Sequence, residues 1–253
     1  MAEVNPGRTG LVEWFPLDES SGNRVGAHAG LVLVDNNTVT SATGKVGTAA
    51  DFERDNSEYL SIADNAALSM GDVDMSVVGW VKFETIAGGG NPAPVLAKFD
   101  SNTAGKREYA LDWDAATNRF RFYVRNTADS AYGIATATAF GAPTTGVWYF
   151  FHGYHDSVAN VVGISINAST AATVAHTGGI YDGTSSFRLG FGPFGTTLYA
   201  DALLDEVAIY KGLVLSADNA SWLYNSGNGR SYAETAAAAL GLPVIAHYWA
   251  EAF

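Results

Sequence analysis

A two-residue hydrophobic period, repeated in short segments, narrows what this chain can become more than any other feature. In Arg119-Phe120-Arg121-Phe122-Tyr123-Val124-Arg125, Phe120, Phe122 and Val124 alternate with Arg119, Arg121, Tyr123 and Arg125. Successive side chains of a strand leave on opposite faces, so this segment turns one face to a core and the other outward. Met75 to Phe83 repeats the period with positions 75, 77, 79, 81 and 83 apolar or glycine. Its second set, Ser76, Val78, Trp80 and Lys82, predicts a half-buried outer face. Tyr109 to Trp113 reads as the hairpin partner of 119–125 through a loop at 114–118, and 148–154 joins 161–166 through 156–160. Further strands are expected at 186–192 and 203–210. Turn-forming residues separate these runs, Gly88-Gly89-Gly90-Asn91-Pro92 most plainly. Short strands with frequent turns imply an all-β, antiparallel two-sheet sandwich.

Helix is scarce. Ser216 reads as the N-cap of a short helix reaching Tyr224 and ended by Gly227, and Ala233 to Leu240 is an Ala-rich helical stretch stopped by Gly241 and Pro243. The expected organisation is therefore a sandwich over 1–232 and a C-terminal appendage over 233–253. That appendage comprises a short helix and an apolar tail containing Ile245-Ala246-His247-Tyr248-Trp249.

Composition bears on partners. The 253 residues carry 14 Lys+Arg against 26 Asp+Glu, a formal net charge of -12. That sign opposes phosphate binding, so no nucleic-acid partner is expected. With no cysteine, a disulfide framework and a thiolate metal site are both excluded. The first residues lack the charged-then-apolar layout of a secretory leader, and no apolar run approaches the roughly 20 residues that span a bilayer. The expectation is synthesis in the cytoplasm without a signal peptide and no membrane insertion.

Six stretches in register resemble the laminin-G-like jelly roll of the concanavalin A-like superfamily. They are Leu11 to Gly22, Thr43 to Phe52, Glu58 to Ile62, Met75 to Phe83, Trp148-Tyr149-Phe150 followed by Ile164-Ser165-Ile166-Asn167, and Leu204 to Tyr210. Together they cover roughly 11–232 and imply a jelly-roll sandwich, although function does not follow from fold. The ending Leu223 to Tyr232 resembles a variant seen in phage structural proteins. That resemblance implies a non-catalytic protein of the virion surface: a capsid decoration, head fibre or tail component, made in the host cytoplasm, whose partners are other virion proteins or copies of itself. The alternative is an extracellular, lectin-like carbohydrate-binding module with glycan partners, possible calcium dependence and no required cofactor.

The superfamily includes glycosidases, which need two carboxylates set across the scissile bond. No Glu-x-Asp-x-Glu run is present. Asp112 and Asp114 flank Trp113 with suitable parity, but Asp114 is expected to open a hairpin loop, where Asp favours turns. The neighbours Asp18-Glu19 and Asp205-Glu206 are expected to point to opposite faces. There is no Gly-x-Ser-x-Gly elbow, and His152 and His155, three apart on a strand, face opposite ways. No catalytic residue is assigned.

By the same resemblance, some jelly rolls hold calcium between an acidic residue near the first strand and one near the last, which here makes Asp18 and Asp205 the candidate calcium ligands. Both residues also suit backbone capping at turns. Sugar binding would use aromatic platforms. Trp80, Trp113, Tyr123 and Tyr132 are the candidates, and spacing alone selects none of them. The stripe Arg119, Arg121 and Arg125 is the one local run of positive charge. It is a candidate surface for docking an acidic partner, or the solvated side of a hairpin.

Overall fold

A computed structural model describes residues 3–86, 91–194 and 196–236. Two eight-stranded antiparallel sheets face each other, as the alternation implies. The first runs β14 (Ala172–Ala175), β13 (Val161–Ile166), β12 (Trp148–Asp156), β7 (Met75–Phe83), β18 (Ala202–Lys211), β5 (Thr48–Phe52) and β4 (Thr40–Thr43), with β1 (Leu11–Phe15) also paired to β18. The second runs β11 (Tyr132–Thr136), β10 (Arg119–Arg125), β9 (Arg107–Asp114), β8 (Ala93–Phe99), β15 (Phe187–Leu189), β6 (Tyr59–Ile62), β3 (Val32–Asn36) and β2 (Arg24–Val25). A small hairpin of β16 (Phe191–Pro193) and β17 (Thr197–Tyr199) lies against β8.

The alternating apolar sets meet between the sheets. Phe120, Phe122 and Val124 are fully buried there with Met75, Val77, Val81 and Phe83. Rings interlock across the gap: Phe83 meets Trp113 at 5.2 Å and Phe120 meets Tyr149 at 5.5 Å between centroids. Such tilted and edge-on pairs add to the transfer of apolar area from water.

The outer face of β7 departs from expectation. Val78 and Trp80 are as buried as the core, at 1% and 2% exposure. They belong to a second apolar cluster closed by α1 (Ala217–Tyr224) and by Leu11 and Trp14. Ser216 caps α1: its hydroxyl accepts the Asn219 amide at 3.1 Å while Asn219 Oδ1 accepts the Ser216 amide at 3.0 Å. This reciprocal box satisfies two otherwise orphaned donors. The helix ends earlier than Gly227, at Asn225, whose positive φ of 49° reverses the chain. The 223–232 ending is accounted for locally by packing. Tyr224 stacks on Trp80 at 5.7 Å, and Tyr232 packs on Trp14 at 6.1 Å with Arg8 over its ring.

A second helix, α2 (Tyr232–Thr235), straddles the expected boundary at 232/233 and is tied to the sandwich: Arg8 donates to Thr235 Oγ1 at 3.0 Å and to the Tyr232 carbonyl at 3.1 Å. The remainder of the expected Ala233–Leu240 helix and the apolar 245–249 stretch lie outside the described residues. Among the described residues, no helix is long and apolar enough to cross a membrane.

Three expectations are corrected by local geometry. The expected strand 186–192 is two strands in different sheets, because Gly190 takes a φ of 75° that side-chain-bearing residues rarely adopt. Asp114 belongs to β9 rather than to the loop, although its carboxylate still accepts from the Thr117 amide and hydroxyl. Finally, the β18–β7 register slips between Asp205 and Ala208, and Glu206 sits in this bulge at a φ of 48°. The bulge defeats strict alternation. Glu206 therefore joins Asp205 on the outer side, where it accepts from the Trp14 indole.

Candidate functional site

Across the second sheet, one row of cross-strand neighbours on the outer face runs Ile134, Tyr123, Ala110, Ala97 and Arg188. The two alanines leave a depression that aromatic rings fill. Phe99 and Tyr123 meet edge to face at 5.4 Å, and Phe194, from the turn of the β16–β17 hairpin, lies 5.9 Å from both. Tyr132 closes the side at 5.9 Å from Phe99 and remains 40% exposed, beside Ile134 at 43%. The result is an open cleft of about 250 Å³ bounded by Phe99, Tyr123, Tyr132, Ile134, Phe194 and Arg121.

Arg121 supplies the polar edge. Its Nε and Nη2 donate to Asp112 Oδ1 and Oδ2 at 2.9 and 2.8 Å, and its Nη1 lies 3.3 Å from Asp114 Oδ1. The Tyr123 hydroxyl donates to Asp112 Oδ2 at 3.4 Å. Asp112 is wholly buried, and burial lifts its carboxyl above the usual range against the pull of Arg121. A guanidinium has about five N–H donors, and these contacts engage three of them. The pair holds the guanidinium in place and cancels its charge.

The expected residues are thus sorted by structure. Of the four aromatic candidates, Tyr123 and Tyr132 line the cleft. Trp80 is covered by Phe150 and Tyr224, and Trp113 faces the core with its indole bonded to Asn118. The Arg119, Arg121, Arg125 stripe is largely answered by acids: Arg121 by Asp112 and Asp114, and Arg125 by Asp129 at 2.8 Å while it lies over the Tyr132 ring at 4.1 Å. Arg119 bonds the Asn118 carbonyl. Phe99, Ile134 and Phe194 were not anticipated. The signal was a lone phenylalanine amid Gly192-Pro193-Phe194-Gly195, a turn sequence that gives an aromatic ring no local reason to be there.

Asp18 and Asp205 flank the turn between β4 and β5. Asp205 Oδ2 accepts the Lys45 and Val46 amides at 2.6 and 2.8 Å, and Asp18 Oδ1 accepts the Thr48 amide at 2.8 Å. Among the described residues Asp205 Oδ1 is buried without a hydrogen-bond partner, and burial pushes this carboxyl up to about 7. Calcium needs about six to eight oxygens. Two carboxylates whose engaged oxygens already cap amides fit turn anchoring better than an ion cage. Among the described residues, the carboxylates grouped closely enough to hold an ion are Asp51, Glu53 and Glu84, with oxygens within 4.8 Å of one another. Burial raises all three, and nearby carboxylates, Asp201 in each case, add to it.

Comparison with known proteins places this geometry in context. The binding domain of Paraclostridial Mosquitocidal Protein 1 superposes with a TM-score of 0.68 at 11% identity, over 86% of this chain and 52% of that one. Domain 4 of AbnA, a GH43 extracellular arabinanase from Geobacillus stearothermophilus solved with arabinotriose, gives 0.56 at 19% identity over 83% and 96%. The binding domain of Botulinum Neurotoxin DC in complex with SialylT gives 0.63 at 9% over 86% and 51%. This chain spans about half the length of the two toxin domains. At these identities the likeness carries the fold alone. No curated protein matches in sequence. A laminin G family profile matches residues 54–221, and the chain belongs to that family, described as the concanavalin A-like lectin/glucanases superfamily.

Proposed function

We propose that this chain is a non-catalytic carbohydrate-binding module whose ligand lies in the cleft of Phe99, Tyr123, Tyr132 and Phe194. The observation that carries this reading is the exposed Tyr132 edge of a ring cluster set beside Arg121, a guanidinium already paired with a buried carboxylate. Few polar groups fixed among apolar walls are what small-ligand sites use to orient a guest. Aromatic faces take the C–H side of a sugar ring, and the remaining guanidinium donors take its hydroxyls. Because Asp112 and Asp114 together offset the arginine charge, the cleft has no free cation among its described residues for an acidic sugar, and the module favours uncharged ones.

Asp112 and Asp114 are committed to Arg121 and to the 115–118 turn, which leaves no free acid and nucleophile pair in this cleft. Of the two roles raised by the sequence, the neighbours favour sugar binding. One was solved with arabinotriose and another with SialylT, and these ligands belong to those proteins. A particle-surface setting draws no support from them, although a surface protein that binds glycans would be compatible with the cleft. The test is a glycan array probed with the full chain. Retention on neutral oligosaccharides is expected; an array without a neutral hit contradicts the proposal.

A further inference from the structure

The opposite face of the sandwich holds a second, more enclosed cavity of about 380 Å³. It lies between β12, β13, the 168–171 turn and the segment that enters α1. Two tilted rings line it, His152 and Tyr154, with centroids 5.1 Å apart and planes 33° from parallel. Tyr154 lies flat over β13 because residue 163 is glycine; any side-chain carbon there would overlap its ring.

The hydrogen-bond network decides what His152 offers. Ser76 Oγ accepts the Leu215 amide at 2.9 Å and lies 3.2 Å from His152 Nε2. A hydroxyl oxygen accepts twice and donates once, so Nε2 is engaged by Ser76 in either tautomer and Nδ1 is the ring nitrogen that remains. His152 is 3% exposed, and burial pushes it down to about 4, so the ring is neutral at physiological pH. Among the described residues, no hydrogen bond reaches Nδ1. A sugar hydroxyl can donate to Nδ1 or accept from it, so it suits this nitrogen in either tautomer. Asp156 adds an acceptor at the rim: its Oδ1 takes the Val158 and Ala159 amides, leaving Oδ2. Val161 and Leu215 make apolar walls.

We propose that this cavity is a second ligand site, taking one uncharged sugar ring with its apolar side on the walls and hydroxyls at His152 Nδ1 and Asp156. Apolar walls that carry an imidazole nitrogen and a carboxylate suit a polyol better than a hydrocarbon, and the absence of a Lys or Arg side chain from the described lining disfavours an anion. The proposal does not rest on the aromatic cleft, which lies on the other sheet.

The test is nuclear magnetic resonance of the full chain titrated with glucose, galactose, mannose and arabinose up to tens of millimolar. Saturable shifts of the His152 imidazole and Thr170 amide are expected with at least one sugar, unchanged in Tyr132→Ala. Thr170→Trp, at an exposed turn position on the cavity rim, abolishes them without altering the fold. His152→Phe weakens binding about tenfold, the loss of one hydrogen bond. Absence of saturable shifts with all four sugars overturns the proposal, and so does their persistence in Thr170→Trp. Shifts confined to the Tyr132 side overturn this site while leaving the cleft standing.

Discussion

Arg121 and Asp112 stand directly opposite each other on the β9–β10 ladder and form a two-point ion pair, with bonds of 2.9 and 2.8 Å to a carboxylate that is wholly buried. Removing the guanidinium strands that charge. Arg121→Met is expected to destabilise the protein by about 3 kcal/mol near neutral pH. Asp112 alone then takes up a proton readily, so the loss shrinks in acid. Denaturant unfolding near pH 7 and near pH 4.5 checks this. An equal loss at both values contradicts the assigned buried charge.

Stability should fall as pH rises. Burial pushes Glu206 up to about 9, with Asp205 and Asp18 adding like charge, and it pushes Asp205 and Glu108 up to about 7. A carboxyl whose folded pKa exceeds its unfolded value holds its proton more tightly when folded. Its stabilisation is complete below the unfolded value and is lost as pH climbs through the folded one. The melting midpoint is therefore higher near pH 6 than near pH 9, and Glu206→Gln flattens the upper half of that window. A midpoint that rises with pH across the window would contradict it.

Calcium is expected to leave stability unchanged. Asp205 Oδ2 and Asp18 Oδ1 already cap the amides of the 45–48 turn, and at its raised pKa Asp205 is partly protonated near neutrality. Melting curves in chelator and in added calcium should coincide. A calcium-dependent rise that disappears in Asp205→Asn would show that the buried Oδ1 takes an ion.

Helix α1 seals the outer apolar cluster, so its cap contributes to the whole sandwich. Ser216→Ala removes the acceptor of the Asn219 amide and is expected to cost about 1 kcal/mol. Thermal unfolding measures it, and an unchanged midpoint would mean that the cap is dispensable.

Local patterns were readable where the physics is local. Strands 75–83, 119–125 and 161–166 follow from alternation, and Ser216 followed by Asn219 follows from helix-end chemistry. The errors lie where backbone conformation breaks the period, at Gly190 and at the Glu206 bulge. The burial of Trp80 depended on α1, which is distant in sequence. The cleft was half legible. Tyr123 and Tyr132 are on a recognisable hairpin, whereas Phe99 and Phe194 reach it from β8 and the 191–199 hairpin through a sheet order that no single segment encodes. The same is true of the arginine stripe, whose neutralisation depends on the register that sets Asp112 opposite Arg121.

The measurement closest to the central claim is a calorimetric titration of the full chain and of Tyr132→Ala with the neutral oligosaccharide best retained on the array. Trimming this exposed ring should weaken affinity at least tenfold, about 1.4 kcal/mol, with no change in melting temperature. Equal affinities for the two proteins would place the sugar elsewhere and contradict the account.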